Sequence, residues 1–201
     1  MILTRCTLDR QNPSIRQCLR DRNDMHRSIM KLFGSARSDA GVLYRIQEEG
    51  PLIHVYLYSQ QKPLEGGVLP MGFVVDGMKD LAPLEDSFAS KVGFSFNLLA
   101  FPFVCKPIEG KNGKRMALKT PEERHSWMER KAEQNGFSIL SLQEDRQVHI
   151  DVQGKAFSFD ATEFSGVLEI VDPILFRKCF ETGIGPEKSY GLGMILLKKV
   201  G

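Results

Sequence analysis

Apolar and polar residues alternate from the start of the chain, and residues 1–8 read as a strand. Asn12-Pro13 then supplies a capping residue followed by proline at the first helical position. Ile15, Cys18 and Leu19, and later Met25, Ile29, Leu32 and Phe33, recur at helical spacing. The polar run Asp21-Arg22-Asn23-Asp24 between them predicts two helices, with Asp21 capping the second. Strands follow near 42–48 and 52–59, joined through Glu48-Glu49-Gly50-Pro51.

The stretch 60–91 carries Pro63, Gly66, Gly67, Pro70 and Gly72 and shows no convincing second helix. From Gly93 to Phe103 the apolar residues fall on even positions to Leu98 and on odd positions from Leu99, which predicts a bulge. Asn112-Gly113 then reads as a hairpin turn within a basic segment. Thr120-Pro121-Glu122-Glu123 forms a capping box opening a helix that runs to about Asn135 and stops at Gly136. Strands are predicted near 137–142, 147–152, 155–160 and 164–171, then a helix from Asp172-Pro173 to Thr182-Gly183, and a last strand from Met194 to Val200. Strand–helix–strand–strand–helix–strand is the ferredoxin-like plan. The pattern therefore predicts an α+β chain of two tandem ferredoxin-like units, the first incomplete: residues 1–90, and residues 91–201 with a C-terminal glycine-rich loop.

Composition narrows the possible functions. A length of 201 residues with 42% hydrophobic content can bury a core in one mid-sized domain or two small ones. The net charge is only +2, so binding to nucleic acid has to rest on local clustering of charge. Cys6, Cys18, Cys105 and Cys179 are scattered without a CxxC pair, so reduced thiols are expected, with neither a zinc site nor a disulfide framework. No apolar run is long enough to span a bilayer, and a strand stands where a signal peptide would lie. A cytoplasmic protein with no membrane partner is expected.

The stretch with the least ordinary composition is GIGPEKSYGLG, residues 183 to 193, between the last helix and the last strand. It is neither a nucleotide P-loop nor a dinucleotide fingerprint, because it precedes a strand instead of opening a helix. Its backbone N–H groups beside Lys188 and Ser189 suit a phosphate chain, although a tight turn with nothing bound reads equally well. A helix, this loop and a strand at the C-terminus resemble the repeat-associated RNA-processing superfamily. GVLEIVDPILFRKCFETGIGPEKSYGLGMILL, with DMHRSIMKLF at 24–33 and KNGKRMALKTPEERHSWMERK at 111–131, resembles more closely the CasE family, the CRISPR endoribonucleases of type I-E Cascade. The resemblance covers nearly the whole chain.

That resemblance implies binding of the stem-loop of CRISPR repeat RNA and one cut at the base of the stem. The upstream 2′-hydroxyl attacks, without metal or other cofactor, and the enzyme stays on its product beside the other Cascade subunits. Histidine suits such proton transfers. His54 and His149 sit opposite apolar residues on their strands, and His125 rides a charged helix. His26 lies one turn after Arg22 at the edge of an apolar stripe, either held by packing or aimed into a cleft. The resemblance makes it the catalytic histidine. Many relatives carry a tyrosine three residues earlier, where this chain has Asn23.

A phosphorane also needs cations or N–H donors. Lys31 follows His26 by five residues on the same helix; its long stem reaches the same phosphate or points to solvent. A-form RNA is recognised through shape, phosphates and 2′-hydroxyls. Lys111, Lys114, Arg115, Lys119, Arg124 and Lys131 are candidates to grip it, with Arg27 beside His26. Gly183, Gly185, Lys188, Ser189, Gly191 and Gly193 are the candidate RNA-binding residues of the loop, its glycines allowing close approach or positive φ. Two other classes remain: a non-catalytic guide-RNA-binding subunit of the same superfamily, disfavoured by His26 in its context, and a ferredoxin-like interaction module, disfavoured by the basic segment.

Overall fold

The computed structural model describes residues 1–34, 41–49, 52–64, 72–108, 111–152 and 157–200. The first half contains β1 (Ile2–Asp9), α1 (Pro13–Arg20), α2 (Arg22–Met30), β2 (Leu43–Glu49), β3 (Leu52–Ser59) and β4 (Phe73–Asp80). Its strands form one antiparallel sheet in the order β2-β3-β1-β4. The predicted caps are in place. Asn12 accepts from the Ser14 N–H at 2.9 Å and Asp21 from the Asn23 N–H at 2.9 Å, so the chain ends one helix and starts the next within a residue. Residues 60–64 are not helical, and 65–71 lie outside the described residues.

A single turn, α3 (Ala82–Glu85), leads into the second half: β5 (Gly93–Ala100), β6 (Phe103–Ile108), β7 (Lys111–Ala117), α4 (Pro121–Gln134), β8 (Phe137–Val152), β9 (Phe157–Ile170), α5 (Pro173–Thr182) and β10 (Ile195–Lys199). The second sheet runs β10-β5-β9-β8, the counterpart of the first, and β6-β7 project as a separate ribbon. The two tandem ferredoxin-like units expected from the pattern are thus present.

Three strand expectations are corrected. The alternation slip in β5 is no bulge, because its ladder to β9 runs unbroken from Gly93 to Ala100. The strand is buried on both faces instead: Phe94, Phe96 and Leu98 join the core under the helices, and Leu99 and Phe101 a second one on the far side. The four strands expected between 137 and 171 are two long ones, β8 and β9. The polar residues 143–146 mimic a turn but pair across to 163–165, and register shifts at Ile139/Ser141 and Glu144/Arg146 absorb the irregularity. Asn112-Gly113 lies inside β7, where an extra residue sets Lys106 opposite Lys114 but Ile108 opposite Lys111. Residues 109–110, between the two strands, lie outside the described residues.

Each sheet packs on its own helices. Cys6, Leu8, Ile53, Val55 and Leu57 meet Ile15, Met25 and Ile29 in the first unit. Trp127, Phe137, Phe164, Phe176 and Phe180 form the larger core of the second, which Leu43 and Tyr58 join from the first. A buried ion pair also ties the units: Arg45 on β2 donates to Glu163 on β9 at 2.5 Å, and Asn97 donates to the same oxygen at 3.0 Å.

Candidate active site

Helix α2 is anchored by Met25 and Ile29, both fully buried, and this fixes how His26 is presented. His26 is half-buried, and its ring stacks on Tyr44 of β2 with centroids 6.4 Å apart and planes 18° apart. Tyr44 is only 1% exposed and donates its hydroxyl to the Ser189 carbonyl at 2.6 Å. Ser189 lies in the 3-10 turn Lys188–Tyr190, which packs against α2 and β2. Histidine and glycine loop, separated by most of the chain, thus meet through one buried tyrosine.

The loop's glycines answer to the protein itself. A Cβ at Gly183 would lie 2.8 Å from the Gly193 carbonyl, and one at Gly193 only 2.6 Å from that of Ile184, both with positive φ. A Cβ at Gly191, at φ +86°, would press on Tyr44 at 3.0 Å; at Gly185 it would touch Trp127 at 3.4 Å. Gly183, Gly191 and Gly193 are buried, and their N–H groups bond to Cys179, Lys188 and Leu99. The expectation of close RNA approach at these three is therefore corrected: here glycine is needed because the chain crosses itself and packs on Tyr44. Lys188 and Ser189 are half-buried on the turn. Glu187 before them adopts the left-handed conformation at φ 60°, a strain of about 1 kcal/mol or more for a residue with a Cβ. Its carboxylate accepts from Arg115 of β7 at 2.8 Å, tying the basic ribbon to the loop.

The expected cations divide. Arg124 is 5% exposed and saturated: Nε and Nη2 grip the Glu144 carboxylate, the shortest contact 2.6 Å, while Nη1 donates to the Lys119 carbonyl at 2.9 Å. That corrects its assignment to RNA; it clamps α4 to β8. Arg115 and Lys119 are exposed near the ribbon, and Lys111 and Lys114 belong to β7. Lys131 stands three turns along α4, bonded to Gln134 and 6.0 Å from the Trp127 ring centre. Lys31 lies roughly 140° around the axis from His26. It lines a groove between α1 and α2 with Arg27, Ser14 and Gln17, and Arg27 pairs with Asp24. His26 and Lys31 thus sit on different faces.

One cation missed in the sequence does share the His26 face. Arg22 precedes it by one helical turn; burial pushes its guanidinium below the ordinary value, and the charge influence of Tyr44 and Glu48 opposes that only in part. Helical periodicity could have found Arg22; Tyr44, an aromatic in a strand, carried no such signal. The remaining histidines have local partners. His54 bonds Thr7 at 3.0 Å, His125 lies 3.6 Å from Glu144, and His149 lies 2.7 Å from Asp160, a hydrogen bond that raises its pKa. Among the described residues no three His, Cys, Asp or Glu converge as metal ligands, and no helix is long and apolar enough to cross a membrane.

Comparison with known proteins places this arrangement. A family model described as CRISPR associated protein matches residues 1–199. The CRISPR-associated endoribonuclease Cse3 of Thermus thermophilus is 28% identical, over 97% of this chain and 98% of its own. A solved structure of the CRISPR endoribonuclease Cse3 bound to a 19-nucleotide RNA is 26% identical and superposes with a TM-score of 0.85, over 98% of this chain and 100% of that one. Thermus thermophilus Cse3 bound to an RNA representing a pre-cleavage complex is also 26% identical, with a TM-score of 0.82 over 98% and 100% of the two chains. Cas6e from Escherichia coli K-12, 23% identical, shares the fold with a TM-score of 0.76 across the full length of both.

Proposed function

The chain belongs to the CRISPR associated protein family, and from that premise we propose that it is an endoribonuclease that binds the stem-loop of CRISPR repeat RNA and cuts at the base of the stem. The observation that carries this reading is His26, held against the glycine loop by Tyr44 and joined through Glu187 and Arg115 to the basic ribbon. A proton-transfer group and an RNA-gripping surface share one continuous structure. The relative named an endoribonuclease, and the similar fold solved with a pre-cleavage RNA, support it.

In the proposed reaction the upstream 2′-oxygen bonds to phosphorus as the bond to the 5′-oxygen breaks. The products are a cyclic phosphate and a 5′-hydroxyl. One proton leaves the 2′-hydroxyl, another reaches the departing oxygen, and His26 carries one of these transfers. Charge on the phosphorane falls to Arg22 on the His26 face and Lys188 on the docked turn; Lys31 and Arg27 hold flanking phosphates along the α1–α2 groove. Residues 1–90 thus carry the proton transfer, and 91–201 most of the grip. The enzyme acts in the cytoplasm and stays with its product as a subunit of a Cascade complex.

The test is a labelled repeat hairpin incubated with the protein in EDTA. Cleavage that stops when the single upstream nucleotide is 2′-deoxy supports the reading. Binding without cleavage makes the chain a guide-RNA-binding subunit, and cleavage of the deoxy substrate or dependence on metal replaces the mechanism with water attack.

A further inference from the structure

At the end of its helix layer away from the glycine loop, the second unit holds a cavity of about 430 Å³ between the end of α4, the start of β8 and the start of α5. Ala132, Phe137, Ile139 and Leu175 line it, with Glu129 and Glu133 along one side. Val171 in its lining is 59% exposed, and Leu140 and Ile174, next in the chain to the lining residues Ile139 and Leu175, are 62% and 82% exposed. These are the three most exposed large apolar residues described in this unit. Leu140 is the extra residue of the first register shift in β8. An apolar cluster of this kind on a charged surface marks a contact site.

The charges choose the occupant. Glu129 and Glu133 lie one turn apart on α4, are exposed, and take part in no ion pair among the described residues. The third carboxylate, Asp172, is spent capping α5 through the Ile174 and Leu175 N–H groups. Unpaired carboxylates repel RNA and anionic membranes. A second copy docked on the same face would bring them against each other. We propose that this groove docks a protein segment whose apolar side chains are flanked by lysine or arginine. RNA and this partner then bind opposite ends of the same helix layer, since α5 starts at the groove and runs roughly 15 Å to the glycine loop. The proposal rests on the proposed function only for where the partner is sought: among proteins that assemble with the RNA-bound enzyme.

Benzoylphenylalanine placed at position 174 of the full chain, co-expressed with the protein subunits of its complex and irradiated, tests this. The expected adduct is a peptide with apolar residues between Lys or Arg. Ile174→Asp, and separately Glu129→Lys with Glu133→Lys, should lower incorporation into the complex about tenfold or more, while hairpin cleavage by the isolated protein stays at the wild-type rate. Adducts with RNA, with a second copy or with an acidic segment overturn the proposal, as does wild-type incorporation of both variants. Failure of the wild-type protein to cut the hairpin would overturn the proposed function instead, and the identity of the adduct would still decide this inference.

Discussion

The two units share one strand order and use it in opposite ways. In the first, the strands of the sheet are 7 or 8 residues long and the helical layer is split into α1 and α2 of 8 and 9 residues. In the second, β8 and β9 reach 16 and 14 residues, and α4 carries a full capping box. The short unit presents a histidine on a broken helix; the long unit extends a ribbon and sends its glycine loop across to brace that histidine. On the proposed function, the same plan supplies a reactive group once and a scaffold once, joined by the contact through Tyr44. Breaking either side should have a different signature.

The largest effect is expected at the reactive side. His26→Ala should lower single-turnover cleavage by about 10² to 10⁴, while a binding titration on the same preparation stays near wild type. A variant within a few-fold of wild type would remove His26 from the chemistry.

Next comes the joint between the units. Glu163→Gln leaves Arg45 buried without its counter-charge and should cost about 3–5 kcal/mol in a denaturant titration. Burial works to raise the Glu163 pKa, but hydrogen bonds from Arg146 and Asn97 and the charge of Arg45 outweigh it and hold it below the ordinary carboxylate value. The stability it contributes is therefore present above the unfolded pKa, near 4.3, and lost as pH falls through the lower folded value. The wild type should lose this increment in acid; Glu163→Gln should not.

The brace itself should matter by about one hydrogen bond. Tyr44→Phe keeps the stacked ring but removes the hydrogen bond to the Ser189 carbonyl, and cleavage should fall roughly fivefold to tenfold at unchanged affinity, for a loss of about 1 kcal/mol. Gly191→Ala, forced into positive φ against Tyr44, should mimic it and also lower stability. Unchanged cleavage in both folded variants would mean the loop does not position His26.

On the gripping side, Arg115→Ala should weaken hairpin binding and flatten its log–log salt dependence by about 0.7 to 0.9, the share of one phosphate contact. Arg124→Ala should leave the slope intact and reduce stability, since its guanidinium is spent on Glu144 and the Lys119 carbonyl. The smallest signal is a chemical one. Cys105 on β6 is the exposed thiol of the four, while burial pushes Cys6 and Cys179 up to about 12. A mild alkylating reagent at neutral pH should label Cys105 first, and bound hairpin should slow it.

Local signals carried much of this architecture. Asn12, Asp21, Thr120 and Asp172 all cap the helices their spacing announced, and Gly136 and Gly183 follow helix ends at positive φ. These are interactions over two to four residues, which a single stretch of sequence contains in full. Errors arose where one signal has two physical causes. A double-sided buried strand imitates a bulge at Leu98 and Leu99, and a solvated polar stretch imitates a turn at 143–146. Asn-Gly served a register shift in β7 instead of a hairpin turn.

The site divides the same way. The sequence by itself determined that His26 rides the edge of an apolar stripe and that the loop before β10 is rich in residues free to take positive φ, because helical period and glycine's φ freedom belong to the chain locally. Only the tertiary structure decided that Tyr44 joins the two, and that Arg124 is locked inside while Arg115 reaches the loop. Periodicity states which side of an element is apolar. What covers that side, and which charge finds a counter-charge, depends on residues 145 positions away, as Tyr44 and Ser189 are, and is set when the two sheets close on each other.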